Sequence, residues 1–301
     1  MIRKYLIVIA GPTAAGKSKL AVDLALHYRC EILSADSRQV YRELNIGVDK
    51  PTPRQMAAVP HHLIGQVSIH ETYNAGIYEK EALRILEELY TRMDLAILVG
   101  GTGLYINAVL EGFDVFPEIS PGISLRLKKT LEENGPEALQ EELKQKDPEY
   151  YARVDIHNTH RLIRALEVIE SAGLPYSQLR QKRKKTRPFI PVPILLTAER
   201  SRIYQRINQR VDEMVKLGLK DEALSLYPFR HLNSLQTVGY QEWFDHFEGK
   251  LTEAEAIDKI KQHTRNYAKR QWTWFRRTGW PEFRAEESSK IIAYLDTMIK
   301  K

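Results

Sequence analysis

Tyr5-Leu6-Ile7-Val8-Ile9-Ala10 is an unbroken apolar run ending at a glycine, the pattern of a short strand buried on both faces. Glu31 to Ser34, Leu95 to Val99 and Val192 to Thr197 are further candidates, each short and bounded by turn or helical chemistry. Between them the period changes. Leu20, Ala21, Leu24 and Ala25, and then the stretch from Ala75 to Met93, space apolar positions by three and four with charged residues between. Strand and helix in alternation predict an α/β fold with a parallel sheet covered on both faces. From about Phe113 the texture shifts: Pro117, Pro121 and Gly122 interrupt the pattern, and the chain to about Arg187 is charged and helical without a convincing strand. The reading is a core of residues 1–113 and 189–301 with an inserted helical subdomain at 114–188. Within the insertion, Asn158-Thr159 caps a helix with Leu162, Leu166 and Ile169 inward, and Gly173 before Pro175 ends it. Thr252-Glu253-Ala254-Glu255 is a capping box opening a long helix that carries Ile257, Ile260, Thr264, Ala268, Trp272 and Phe275 on one stripe.

The first strand runs straight into Gly11-Pro12-Thr13-Ala14-Ala15-Gly16-Lys17-Ser18, a phosphate loop of the form G-x-x-x-x-G-K-S, in the strand-then-helix context that the motif requires. Backbone N–H groups and the helix end favour anionic oxygens, Lys17 adds a charge, and Ser18 a hydroxyl suited to magnesium. The fold class is therefore α/β, a P-loop NTPase-like parallel sheet flanked by helices with a small helical insertion. Most proteins of that type end a later strand on a magnesium-holding Asp. Here Val99 is followed by Gly100-Gly101-Thr102-Gly103, so backbone and the Thr102 hydroxyl approach the ligand unless the glycines merely make a tight turn. The carboxylate stands instead at Asp36, beyond the second strand, where strand ends form the crevice; a general base and a helix cap are the two readings of it. His61-His62 lack a third ligand in view and read as hydrogen-bonded structural imidazoles.

With 43% hydrophobic residues in 301, a sizeable core is available, and no run approaches the roughly 18 apolar residues of a membrane span. No membrane association and a cytoplasmic location are expected. Cys30 stands alone, which excludes intrachain disulfides and cysteine-built zinc sites. Net charge is +6, but its distribution matters more: Lys182-Arg183-Lys184-Lys185-Thr186-Arg187 is one basic run, and Lys261, Arg265, Lys269, Arg270, Arg276 and Arg277 form another without an acidic residue among them. For either alone a solvated face and a binding surface are equal readings; two on a phosphate-loop protein favour nucleic acid. A kinase using ATP on the same fold, and a prenylating enzyme for free AMP or ADP, stand as alternatives.

The loop motif together with Ala35-Asp36-Ser37-Arg38-Gln39-Val40-Tyr41, Asn45-Ile46-Gly47, Lys50-Pro51, Pro60-His61-His62-Leu63, Val99 to Tyr105, His160 to Glu167, Val238-Gly239-Tyr240-Gln241-Glu242 and Ala268 to Arg276 resembles the bacterial tRNA dimethylallyltransferase family across nearly the whole chain. The resemblance implies transfer of a dimethylallyl group from dimethylallyl diphosphate to N6 of adenine 37, in the anticodon stem-loop of tRNAs that read codons beginning with U. It implies Mg²⁺ near Ser18, with Thr13 and Arg210 joining Lys17 at the diphosphate. Asp36 is then the base, and Lys17 and Thr102 share the catalytic site. Asp36, Ser37, Arg38, Gln39 and Thr102 line the channel for the flipped base. His160, Arg161, Leu162, Ile163 and Arg164, the run Gln236-Thr237-Val238-Gly239-Tyr240-Gln241, and Lys269, Arg270, Gln271 and Arg276 touch tRNA. A monomer without the zinc finger of eukaryotic relatives is expected.

Overall fold

The computed structural model describes residues 3–114, 116–180 and 184–299; Lys182 and Arg183 of the first basic run lie outside them. It divides into two compact units, Met1–Leu110 with Thr186–Lys301, and Glu111–Lys185. In chain order the elements are β1 (Tyr5–Ala10), α1 (Lys17–Tyr28), β2 (Ile32–Ser34), α2 (Pro53–Ala58), β3 (His61–His62), α3 (Ala75–Leu89), β4 (Leu95–Gly100) and α4 (Gly103–Glu111). Four helices follow, α5 (Pro121–Lys146), α6 (Pro148–Tyr151), α7 (Thr159–Ala172) and α8 (Tyr176–Leu179). The chain closes with β5 (Ile190–Thr197), α9 (Arg200–Lys216), α10 (Leu219–Leu226), α11 (Gln241–Phe247), α12 (Glu253–Phe275), β6 (Glu282–Arg284) and α13 (Ser288–Ile299).

In the larger unit six strands form one parallel sheet in the order β3-β2-β4-β1-β5-β6. Side chains alternate across a strand, so β1 feeds two cores at once. Leu6, Val8 and Ala10 pack with Tyr78, Ala82 and Leu86 of α3 on one face. Tyr5, Ile7 and Ile9 pack with Leu20, Ala21 and Leu24 of α1 and with Ile291 and Leu295 of α13 on the other. Burial on both faces is what an unbroken apolar run allows, and it places the loop after β1 at the carboxyl edge of the sheet. Two edge strands have no such signature. β3 and β6, two and three residues long and polar in part, exist through pairing with β2 and β5 and were not foreseen. α3 stops at Leu89, not Met93, because hydrogen-bonded turns at Thr91 and Arg92 take over.

The smaller unit contains helices and no strand among its described residues. α5 bends at Gly135 (φ 76°) beside Pro136, which lets Leu127, Leu139 and Leu143 all reach Leu162, Ala165 and Leu166 of α7. Asn158 caps α7 by accepting the Arg161 N–H at 3.2 Å, and Gly173 ends it. Asp147, 1% exposed, accepts from the Tyr150 and Ser177 N–H groups and the Ser177 hydroxyl at 2.7 to 2.9 Å, which ties the short helices together.

Candidate active site

Lys17 opens α1, and no side chain caps that helix end, so its first N–H groups point into a cavity of about 990 Å³ with a positive dipole behind them. Thr13, Ala14, Gly16, Lys17 and Ser18 line this cavity, while Gly11, Pro12 and Ala15 lie buried behind it. The Lys17 ammonium donates to the Pro12 carbonyl at 2.7 Å. Burial, and then the neighbouring Arg210 cation, push it down to about 8 against the opposing pull of Asp36 and Asp49. α9 runs beside the loop. Its Arg206 donates to the Ala14 carbonyl at 3.4 Å, and one turn later Arg210 donates to the Thr13 hydroxyl and to Asp49 at 2.6 Å. Arg210 Nε is buried without a partner. The two arginines thus face the loop and do not form an exposed edge.

Asp36 follows β2 and lines the same cavity as Lys17. Its Oδ1 accepts the Arg38 N–H at 2.8 Å and the Gln39 N–H at 3.3 Å. No helix follows for it to cap: one oxygen holds a hydrogen-bonded turn at residues 37–40, and among the described residues the other has no partner. These bonds orient the group, and the second oxygen is left as an acceptor toward the cavity.

The Thr102 hydroxyl accepts the Ser37 N–H at 3.0 Å and so braces the turn that carries Asp36. The glycine pair before it is used for packing. A Cβ on Gly100 would lie 2.1 Å from the Ala35 carbonyl oxygen, and one on Gly101 would lie 2.1 Å from Gln271 Nε2. The space left by the missing side chains is occupied by the protein's own backbone and by Gln271.

Gln271 is 6% exposed, accepts the Thr13 N–H at 2.8 Å and donates to the Gly101 carbonyl at 2.9 Å. It locks α12 to the phosphate loop and to the end of β4, which corrects its assignment as an outward contact. Burial makes the same correction at Leu162 and Tyr240, both 0% exposed. The Tyr240 hydroxyl donates to Glu222 at 2.6 Å, and that carboxylate also accepts the Ile46 and Gly47 N–H groups at 2.9 and 3.1 Å. Glu222, which no motif announced, is the brace that fixes the loop before Asp49. Arg38 and Gln39 line the cavity, yet their donors are spent on backbone: Arg38 on the carbonyls of Asn233, Ser234 and Gln236, and Gln39 on those of Val48 and Asp49.

Ser37, Gln236, Thr237, Val238, Gly239, Gln241 and Arg270 also line the cavity. Lys269 and Arg276 are exposed on and just after α12, and His160, Arg161 and Arg164 are exposed on α7 beside a half-buried Ile163. The second basic run is not uniform: Lys261 pairs with Asp212 at 2.6 Å and Arg265 with Asn208 at 2.7 Å, which joins α12 to α9. In the first run Lys184 pairs with Glu111 at 2.5 Å, and Arg187, 9% exposed, pairs with Glu79 at 2.8 Å. His61 hydrogen-bonds the Val59 carbonyl and His62 the Glu31 carboxylate at 2.8 and 2.7 Å, as structural imidazoles would. Burial and the Glu31 charge push the Cys30 thiol up to about 12, so it is an inert apolar group.

Residues 39–278 match the family model for IPP transferase. The chain is 46% identical over 306 residues to the tRNA dimethylallyltransferase of Flavobacterium johnsoniae, covering 99% of each, and 47% identical to that of Christiangramia forsetii, covering 98% of each. Among solved structures, the tRNA isopentenylpyrophosphate transferase of Bacillus halodurans superposes with a TM-score of 0.73 at 37% identity over 99% of this chain and 97% of that one. A eukaryotic dimethylallyltransferase acting on tRNA superposes with a TM-score of 0.77 at 28% identity over 90% of this chain and 69% of that one. Likeness of this extent, in sequence and in fold, shows that the chain belongs to the IPP transferase family.

Proposed function

We propose that this protein transfers a dimethylallyl group from dimethylallyl diphosphate to N6 of adenine 37 in the anticodon stem-loop of tRNAs reading codons that begin with U. One observation carries the reading: Lys17 and Asp36 open on one cavity, and β4 ends beside them on Gly100-Gly101 in place of a carboxylate. Such a site suits a diphosphate that leaves from carbon. As N6 bonds to the allylic carbon, the carbon–oxygen bond breaks, the electron pair departs with diphosphate, and the free oxygen of Asp36 takes the amine proton. Lys17, Arg210 and the N–H groups of α1 neutralise the leaving oxygens. Among the described residues no group of three or more His, Cys, Asp or Glu side chains is placed to hold a metal ion. The exposed Ser18 hydroxyl is the group of this chain that would hold a magnesium ion, and the ion would supply neutralisation of leaving-group charge. The exposed cations Lys269, Arg270 and Arg276 suit a phosphate backbone. No described helix is long and apolar enough to cross a membrane. The proposal includes action on tRNA in the cytoplasm as a monomer.

The test offers the purified enzyme labelled dimethylallyl diphosphate with an unmodified anticodon stem-loop, with AMP, and separately with labelled ATP. Label in the stem-loop alone is expected. Label in AMP, or phosphate transfer from ATP, overturns the reading.

The Lys17 ammonium makes anion binding pH-dependent in a stated direction. Its charge is present below about 8 and lost as pH rises through that value, so affinity for inorganic diphosphate falls on the alkaline side. Dividing by the affinity of Lys17→Arg, which stays charged, cancels the ionisation of diphosphate itself. The ratio should drop about tenfold between pH 7 and 9. A flat ratio in titration calorimetry would mean that Lys17 does not face the anion.

A further inference from the structure

α12 shows one face to the cavity through Ile260, Thr264 and Tyr267, spaced as successive turns require. One turn further along, Gln271 holds the helix to Thr13 and Gly101, so the place of Tyr267 is fixed by bonds made at the catalytic loops. The guanidinium carbon of Arg270 lies 5.7 Å from the Tyr267 ring centroid. Arg270 also lines a second depression of about 450 Å³, shared with Lys269, Thr273, Trp274 and Arg277. One cation therefore marks the border between an exposed basic groove and the cavity, with Tyr267 immediately inside. Burial and the Asp36 carboxylate push its phenol up to about 12, which leaves it neutral at working pH.

Tyr267 is the only residue lining the cavity, among the described residues, that carries a six-membered aromatic ring. Val211, Met214 and Ile260 are apolar and suit a five-carbon chain, whereas a flat heterocycle needs a plane. We infer that Tyr267 is the stacking platform for the acceptor base, taking the plane of the extruded adenine while Asp36 takes its exocyclic amine. This rests on the transfer reaction proposed above. Arg270, over the ring, holds that platform and faces the strand from which the base departs. The contact is sequence-tolerant; it serves to hold the base flat beside the carboxylate, and selection of adenine falls to Asp36.

A stem-loop carrying 2-aminopurine at the target position tests this without chemistry, since that base lacks the 6-amino group. Bound to wild-type enzyme, its fluorescence is expected to stay quenched by the ring. Tyr267→Leu should relieve the quenching several-fold and raise KM for the natural stem-loop by about 5- to 150-fold, the range for losing one base–aromatic stack. Its kcat and its affinity for inorganic diphosphate should change by less than about threefold, as befits uniform binding. Tyr267→Phe should behave as wild type. Tyr267→Met replaces the leucine form should that not fold, as read from thermal unfolding. Unrelieved quenching with unchanged KM overturns the inference, and so does a phenylalanine variant as impaired as leucine, which would assign the role to the hydroxyl. Because the fluorescence arm needs no turnover, a wild-type enzyme unable to prenylate the natural stem-loop defeats the reaction and leaves the stacking result readable.

Discussion

Asp36→Ala is expected to lower turnover by about 10²-fold or more while leaving stem-loop binding largely intact, the loss typical of a missing general base. The same substitution removes the acceptor of the Arg38 and Gln39 N–H groups, worth about 1 kcal/mol, so alanine alone confounds chemistry with loop order. Asp36→Asn separates them. The asparagine carbonyl oxygen can still accept both N–H groups, but the amide cannot take a proton from the adenine amine. Single-turnover rates at saturating stem-loop should therefore fall nearly as far in Asn as in Ala, and thermal stability should fall only in Ala. An asparagine form with wild-type turnover would leave Asp36 a turn residue and move the base elsewhere in the cavity.

Gly100→Ala should cost about as much activity for a different reason. The added carbon would meet Ala35 at 2.1 Å from its carbonyl oxygen, 2.4 Å from its carbonyl carbon and 2.8 Å from its Cα, all backbone atoms that no rotamer change can move. That same carbonyl accepts the Thr102 N–H at 3.1 Å, and the Ala35 N–H donates to Val99 at 2.7 Å. The ends of β2 and β4 must separate, and Asp36, the next residue, travels with them. A loss of about 3 kcal/mol in stability follows from overpacking, with turnover down about 10²-fold from a displacement near 1 Å. Gly122→Ala, where the nearest atom is a Ser120 hydroxyl at 3.8 Å, should change stability by less than about 0.5 kcal/mol. Denaturant melts of the two proteins side by side decide the matter; equal midpoints would show that the close approach at Gly100 is not required.

Local chemistry made much of this protein legible in advance. β1 declares itself through six apolar residues, the phosphate loop through glycine and Lys17 spacing, α7 through Asn158 and Gly173, and α12 through the Thr252 capping box, because each depends on neighbours a few positions away. Asp36 was also readable, since the carboxyl ends of parallel strands converge on one crevice. Pairing across the sheet, by contrast, has no local code: β3 and β6 are strands only because β2 and β5 present unpaired edges to them.

The roles of polar side chains divide along the same line. Sequence determined that Lys17, Ser18 and Asp36 meet on one cavity, because each follows the carboxyl end of a parallel strand. Only the tertiary structure decided that Gln271 is an internal brace, that Arg38 and Gln39 spend their donors on carbonyls, that Glu222 secures Ile46 and Gly47, and that Lys261 is neutralised by Asp212. Each of these partners is far away in the chain, and a hydrogen-bonding group declares its partner only when folding removes the water that would otherwise satisfy it.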